Sequence, residues 1–368
     1  MIDDFLYVTA GDTGPLAEVE AAVRAAAAAE IVPRHRKLAA HEIIEKSGPH
    51  DLVTAADRLA EEHLTAALTK LLPGSVVVGE ESVHADPAVY DALGGDAPVW
   101  IVDPVDGTRQ FVRGEAGFCT LVALAQHGEV HASWTYAPVL GEMAVAVRGR
   151  GATLNGTPIR AGAPAPGAVL NVAMSHPDYT TDAQKRALLG LRTEGIAARP
   201  CGSAGLEYLA VARGQLDATA FNWEYAWDHA AGLLLVTEAG GAQSTLAGVP
   251  FRIAGGNDLP FTAGPRRGHR ATDPDGVAGG RLTETGARSA AGPGRRRDPG
   301  RERAPGRRRG PGPTGTRLRA DRHADRRGSA SALSVGPHTL EVRLPADEGV
   351  PRCRRCSMRS WWAPGPTD

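Results

Sequence analysis

The 368-residue sequence predicts an α/β domain over residues 1–264 followed by a tail of different character. Two short apolar runs, Val76-Val77-Val78 and Trp100-Ile101-Val102, lead into acidic residues, as buried strands do where they reach a polar sheet edge. Helical patterns rich in Ala and Leu alternate with such runs. Composition then changes abruptly. Residues 1–264 carry 18 Lys and Arg against 31 Asp and Glu, a net of −13, while residues 265–368 carry 23 Arg, no Lys and 11 acids, a net of +12. The near-neutral total hides two opposite parts. The first has the content of a globule able to bury a core, the second that of a low-complexity segment.

Residues 15–31 place Leu16, Val19, Val23 and Ile31 along an alanine-rich helix that Pro33 limits. Ser47, Gly48 and Pro49 break the pattern before a second helix, which Asp51 or Thr54 can cap and which carries Leu59, Leu64, Leu68 and Leu71 up to Pro73-Gly74. Asp57 falls in its first turn, where an acid is favoured by the helix dipole alone. The strand Val76–Val78 follows and ends at Gly-Glu-Glu-Ser, with Glu80 and Glu81 at its C-terminal end. Strand ends of this kind are where α/β sheets meet ligands.

The stretch Trp100 to Thr108, WIVDPVDGT, is the centre of the functional reading. Its strand is expected to stop at Asp103, since Pro104 cannot donate to a ladder, and Gly107 permits a tight turn with its amides turned outward. Asp103, Asp106 and the Thr108 hydroxyl then share a small space. Carboxylates with a glycine turn suit a hard cation and a phosphate. Taken alone, Asp-Pro and Asp-Gly are ordinary turn formers; the acids elsewhere in the chain tip the balance. With Glu80 and Asp103 on neighbouring strand ends, three acids come within reach of one metal cluster.

Residues 117–148 alternate as antiparallel strands, with hairpin turns at His127-Gly128 and Leu140-Gly141. His127 and His131 lack carboxylate partners at ligand spacing and are read as surface residues. VLNVAMS reads as a strand, DAQKRALLGLR as a helix, RPCGSAG as a turn, and GLEYLAVARGQLDATAF as helix then strand. In WEYAWDHAAGLLLVTEAGG, Asp228 precedes an apolar helix, Ala230 to Ala239, as an N-cap or as a carboxylate placed for a metal. GVPFRIAGGNDLPFTAG closes the domain with a final strand or two. Cys119 and Cys201 read as core thiols rather than a disulfide.

Five of these stretches together resemble the inositol monophosphatase family: DLVTAAD, GEES, WIVDPVDGTRQF, GSAGLEYLAVARGQLDA and WDHAAGLLLVTEAGG, in family order and at family-like spacing over roughly residues 15–264. The resemblance implies a layered αβαβα sandwich, with subdomains of about 1–165 and 166–264, in a homodimer sensitive to Li⁺. It implies a phosphomonoesterase that uses two or three Mg²⁺ ions on a small phosphorylated metabolite, inositol phosphate-like or a sugar phosphate. Glu80, Asp103 and Asp106, with the backbone carbonyl of Val105, would bind the first Mg²⁺ ions, and Asp228 would complete the second. Gly107 and Thr108 would meet phosphate through their amides, Asp57 and Thr108 would form the pair that activates water, and Glu81 would be a further acid of the cluster. The residues agree: carboxylates without a nucleophilic Cys or Ser–His pair suit direct attack by water, with no phosphoenzyme.

The substrate is less determined. Where the resemblance places an acid that contacts a substrate hydroxyl, seven residues before Asp228, this sequence has Phe221, with Glu224 nearby but out of register. An unpaired substrate hydroxyl there costs ~1–3 kcal/mol. Histidinol phosphate and 3′(2′),5′-bisphosphate nucleotides are the alternative substrates. A retired, phosphatase-like binding protein is the alternative of another class, and the presence of every acid the cluster needs argues against it.

From Pro265 the family pattern vanishes where a closing helix is expected. An Arg-rich tail can bind nucleic acid, but this one lacks interleaved aromatics, so no nucleic-acid partner is expected. A shifted reading frame of a GC-rich gene would enrich Arg, Gly, Pro and Ala and exclude Lys; this reading is favoured over a disordered tail with a binding role. Cys353 and Cys356 lie in this tail without a second pair, which argues against zinc. The N-terminus, MIDDFLYV, has acids where a signal peptide needs positive charge, and no apolar run reaches membrane-spanning length. A cytoplasmic protein without a membrane partner is expected.

Overall fold

The computed structural model describes residues 2–7, 14–48, 51–266, 332–336 and 339–343. The chain opens with helix α1 (Ile2–Tyr7) and α2 (Pro15–Ala26), the latter running on through a wide-turned segment, Ala27–Ile31. A hairpin of β1 (Ile43–Gly48) and β2 (Asp51–Thr54) leads into α3 (Ala55–Leu71). This hairpin is absent from the sequence reading, because its alternation is short and broken at Ser47-Gly48-Pro49. Thr54, not Asp51, is the cap of α3: its hydroxyl accepts from the Ala56 amide while the Asp57 carboxylate accepts from the Thr54 amide.

Strand β3 (Val76–Gly79) passes directly into a short helix, α4 (Glu80–Ala85). The central strand β4 (Val99–Asp106) is followed by α5 (Thr108–Val112) and by β5 (Cys119–Gln126), β6 (Glu129–Ala137), β7 (Glu142–Val147), β8 (Gly151–Leu154) and β9 (Thr157–Pro158). These form a seven-stranded sheet in the order β3-β4-β5-β6-β7-β8-β9, antiparallel except for the parallel β3/β4 pair. The hairpin turn at His127-Gly128 has both residues at positive φ, 53° and 77°, which matches the twist of the flanking strands.

The second sheet is built from β10 (Leu170–Met174), β11 (Ile196–Pro200), β12 (Ala218–Phe221), β13 (Gly241–Thr245) and β14 (Phe261–Pro265), in the order β11-β10-β12-β14-β13. Between them come α6 (Asp182–Ala187), α7 (Ala204–Ala212) and α8 (Ala226–Glu238). The sequence reading made RPCGSAG a turn; its first two residues end β11 instead. That strand alternates poorly because it lies at the sheet edge and is mostly exposed.

Five layers result. Alternation along β4 sends Trp100 and Val102 to one side, where they meet Val19 and Val23 of α2 and Leu64 and Leu68 of α3. Ile101 points to the other side, into a core shared with Tyr208 and Leu209 of α7 and Leu234 and Leu235 of α8. The far face of α7 and α8 meets Phe221 and Phe261 of the second sheet, whose outer face is covered by Leu188 and Leu191 after α6. The order α, β, α, β, α is the expected sandwich. Helix α8 is buried nearly all round, as a helix between two sheets must be.

Of the Arg-rich tail, one antiparallel pair is described, β15 (Ala332–Gly336) with β16 (Thr339–Arg343). The expectations for the rest of the tail, Cys353 and Cys356 included, lie outside the described residues. Cys119 and Cys201 are free and buried, as expected. No helix among the described residues is long and apolar enough to cross a membrane.

Close approach of α7 to α8 depends on Gly232, where an added Cβ would fall on the Tyr208 ring. Gly232→Ala should therefore overpack this layer and lower stability by ~1–3 kcal/mol. The urea midpoint of the full chain measures it, and an unchanged midpoint would mean that the two helices separate at no cost.

Candidate functional site

Asp103 and Asp106 are three residues apart, so on a regular strand their side chains would point to opposite faces. The ladder between β4 and β5 corrects this. Asp103 pairs with Leu121 but Asp106 pairs with Cys119, so β4 carries an extra residue between them. The bulge turns both carboxylates to one side. Strand β4 thus continues through Pro104 to Asp106 and does not stop at Asp103. Pro104, which lacks a donor, keeps its carbonyl paired with the Thr120 hydroxyl at 2.8 Å.

The two acids are held differently. Asp103 Oδ1 accepts from the Val105 amide at 3.0 Å. Asp106 lies at the N-terminus of α7 and accepts from the Ser203 hydroxyl at 2.6 Å and from the amides of Ala204 at 3.1 Å and Gly205 at 2.6 Å, with Cys119 Sγ at 3.5 Å. Free amides at a helix start favour an anion in that place. Gly107 follows at φ 93°, and an added Cβ would come 2.8 Å from the Gly117 carbonyl oxygen, so the turn into α5 needs glycine on both counts.

Asp228 lies inside the first turn of α8, which begins at Ala226, rather than ahead of a helix at Ala230. It is not the cap; its Oδ2 accepts from Trp223 Nε1 at 2.9 Å. Asp103, Asp106 and Asp228 each bring a carboxylate oxygen within 4.8 Å of the others. Burial pushes all three well up or up in pKa, and for Asp103 and Asp228 the charges of the neighbouring acids add to it. Among the described residues no ion pair reaches any of them. An all-oxygen donor set lacking an internal counter-charge fits a hard divalent cation.

The remaining expected residues border this cluster. Asp57 is buried in α3, with Oδ2 accepting from the Thr54 amide at 2.9 Å and hydroxyl at 2.5 Å, and Oδ1 left facing the Thr108 hydroxyl at 3.3 Å. Burial raises Asp57 to about 6 against the pull of the Thr54 hydrogen bonds. The Thr108 hydroxyl also lies 3.0 Å from the Val105 carbonyl, and its single proton serves one acceptor at a time.

Glu80 and Glu81 border the three-aspartate group, the charge of Glu80 adding to burial in raising Asp103 and Asp228, and are paired with Lys46 of β1 at 2.7 and 2.6 Å. Burial pushes Glu81 up and works against the charge on Lys46, but the carboxylates outweigh this and hold Lys46 above its usual range. The short contacts are those of an ionised pair with the proton on Lys46. Glu61 lies beneath, its two oxygens accepting from the amides of Glu81 and Ser82, each at 2.8 Å. Gly79 leaves room for it, since a Cβ there would fall on the Glu61 carboxylate.

Sequence reading missed Lys46, Glu61 and Ser203. Glu61 had a signal, a buried-face acid four residues after Asp57 on a helix; Ser203 had one in the Gly-Ser preceding a helical run. Lys46 had none, because its partners lie 34 and 35 positions away. Phe221 is fully buried, 4.4 Å centroid to centroid from the Trp223 ring. Glu224 is engaged by Asn257, whose amide and side-chain nitrogen donate to it at 2.9 and 3.0 Å.

The model describing the inositol monophosphatase family matches residues 14–284, which runs past the compositional break near residue 264. The chain belongs to the inositol monophosphatase family. An inositol monophosphatase of Dictyostelium discoideum is 35% identical over 204 residues, 54% of this chain and 73% of that protein. The inositol-1-monophosphatase of Bacillus subtilis is 33% identical over 217 residues, 56% of this chain and 77% of that one. A crystal structure of the extragenic suppressor protein suhB from Bartonella henselae covers 68% of this chain and 93% of its own, with 27% identity and a TM-score of 0.58. The protein is a phosphoric monoester hydrolase of the inositol monophosphatase type.

His229, next to Asp228, carries a prediction of its own. The Trp223 carbonyl can only accept, so Nε2 donates to it at 3.0 Å, and Nδ1 accepts from the Tyr208 hydroxyl at 2.9 Å. Burial pushes this imidazole down to about 3. As pH falls below about 6.5 the unfolded chain takes up a proton that the folded chain refuses, so this contribution is present above 6.5 and lost toward pH 3. Denaturation at pH 7 and pH 5 should show a steeper loss in the wild type than in His229→Leu; equal slopes would contradict it.

Proposed function

We propose that the protein is a Mg²⁺-dependent phosphomonoesterase that hydrolyses a small phosphorylated metabolite by direct attack of water. The observation that carries this reading is the oxygen cluster of Asp103, Asp106 and Asp228 beside the Asp57–Thr108 pair. Two or three Mg²⁺ ions would be held by these aspartates, Glu80 and the Val105 carbonyl. When bound, the ions would polarise a phosphoryl oxygen and lower the pKa of a coordinated water. The Gly107 and Thr108 amides would orient the phosphate at the start of α5, and Glu81 would steady the neighbouring acids.

Asp57 supplies the base. With a pKa near 6 it is mostly a carboxylate at neutral pH, and Oδ1 is free of the Thr54 bonds that occupy Oδ2. The Thr108 hydroxyl donates to Oδ1 and turns a lone pair toward the water, whose proton it relays as the oxygen bonds to phosphorus. The P–O bond to the alcohol breaks, and that oxygen takes a proton from solvent water as it leaves, while Asp57 keeps the proton of the attacking water. Phosphate and alcohol are the products.

Phe221 and Glu224 bear on the substrate. Phe221, buried among aromatic rings, offers no acceptor to a polyol hydroxyl at that position, and Glu224 is held through Oε2 by Asn257. This favours sugar phosphates, histidinol phosphate or 3′(2′),5′-bisphosphate nucleotides over inositol phosphates. Lithium sensitivity and a homodimer belong to the same proposal and rest on the family resemblance. A cytoplasmic location is supported by the free, buried Cys119 and Cys201. Subdomains of about 1–165 and 166–264 are supported by the two sheets, whose strands fall within residues 76–158 and 170–265.

Phosphate release from inositol, sugar, histidinol and 3′-nucleotide phosphates, with Mg²⁺, with EDTA and with Li⁺, tests this directly. Release that requires Mg²⁺ and is weakest with inositol phosphate is expected; release that persists in EDTA would overturn the metal mechanism. Asp106→Asn should lower turnover ~100-fold or more, beyond the 10–100-fold typical of groups that merely support a ligand. Thr108→Ala should lower kcat about 100-fold with a smaller change in Mg²⁺ affinity, as expected for loss of a proton relay.

A further inference from the structure

Helix α8 carries Asp228 in its first turn but does not cap itself. The residue ahead of it, Tyr225, makes no capping hydrogen bond with its side chain. The leading amide, that of Ala226, donates instead to the hydroxyl of Tyr90, 136 positions earlier in the chain, at 3.1 Å. An amide at a helix start has no partner within the helix, so a buried one needs an acceptor from elsewhere. Tyr90 supplies it.

The same hydroxyl lies 3.3 Å from the Glu224 carbonyl and 3.3 Å from the Ile253 carbonyl, and its one proton serves one of them at a time. The approach to α8, its first turn and the segment 251–257 thus meet on a single oxygen, and that segment also holds the Glu224 carboxylate through Asn257. The Tyr90 ring is buried edge-on to Trp227, with centroids 5.9 Å apart. Trp227 immediately precedes Asp228. Tyr90 is itself placed by the segment that starts at Glu80: α4 is followed by 3₁₀ turns, Pro87–Gly94, which Asp86 caps by accepting from the Ala88 amide at 3.0 Å, and Tyr90 stands in those turns. A short stretch of chain therefore joins an acid at one side of the cluster to the helix that carries another.

We propose that Tyr90 is a positioning residue for metal binding: its hydroxyl caps α8 from outside the helix and so holds Asp228 where it can share a cation with Asp103 and Asp106. This deepens the reading above and rests on it, since it takes Asp228 as a metal ligand. Tyr90 touches neither metal nor substrate. Without its hydroxyl the Ala226 amide loses its acceptor and the first turn of α8 loosens. Asp228 would then depend on its bond from Trp223 Nε1, and Trp223 belongs to the same approach to the helix.

Tyr90→Phe in the full chain removes the hydroxyl and keeps the ring against Trp227. Calorimetric titration with Mg²⁺, and separately with Mn²⁺, should show binding weakened roughly ten-fold, as for other groups that orient a ligand. The indole N–H resonance of Trp223, identified by its loss in Trp223→Phe, reports the bond to Asp228 and should move in Tyr90→Phe with no metal added. Ser75→Ala measures plain destabilisation, since it removes the hydroxyl that accepts from Trp100 Nε1 at the opposite end of β3 from Glu80. It should lower the urea midpoint and leave metal affinity and the Trp223 resonance as they are. Unchanged metal affinity in Tyr90→Phe would overturn the proposal, as would an unmoved Trp223 resonance or an equal weakening by Ser75→Ala. Should Tyr90→Phe not fold, amide exchange of the wild type decides: the Ala226 amide should be as protected as those inside α8, and fast exchange there would refute the cap. No metal binding even by the wild type would instead sink the metal reading, and this proposal with it.

Discussion

Placing three carboxylates within 4.8 Å of one another, two of them buried and none in an ion pair among the described residues, is the constraint on which the rest of this structure depends. Like charges in a low-dielectric setting repel strongly, and burial raises the cost further. Each acid is therefore fixed by a separate device: a local amide for Asp103, the start of α7 for Asp106, an indole nitrogen for Asp228. These devices come from the first sheet, from the helix layer and from the segment that leads out of the second sheet into α8. The sandwich is what brings them together, and a cation is what the arrangement lacks.

The neighbouring acids meet the same problem differently. Glu80 and Glu81 are neutralised by Lys46, while Glu61 spends its charge on two backbone amides. Asp57 is left with one oxygen saturated and one facing Thr108, a division that suits a proton acceptor. Charge is thus graded across the site. On the α8 side of it a neutral His229 and a wall of aromatic rings around Phe221 exclude further charge.

Much of the fold follows from local pattern. The stripe of Leu64 and Leu68, the β-branched run before Glu80 and the hairpin at His127-Gly128 are legible because periodicity and turn chemistry act over a few residues. The misses share a cause. The β1–β2 hairpin, strand β11 and the start of α8 depend on what packs against them, and their own residues carry weak or mixed signals. Asp228 illustrates this: as a capping residue type it suggests a boundary, yet tertiary packing starts the helix at Ala226, four residues before the expected Ala230, and puts Tyr225 at its edge.

Sequence alone determined which residue types stand at or near the strand and helix ends: Asp57, Glu80, Asp103, Asp106, Thr108 and Asp228, in an order that resembles one family. It did so because acids, glycines and prolines at such positions have few other uses. Tertiary structure alone decided which acids share a space and which are already neutralised. The bulge that turns Asp103 and Asp106 to one side depends on the pairing of β4 with β5. The partnership of Asp106 with Ser203 spans 97 residues and that of Lys46 with Glu80 spans 34. Contacts at such separations leave no periodic trace in the chain, because they are selected by the packing of whole layers rather than by neighbouring residues.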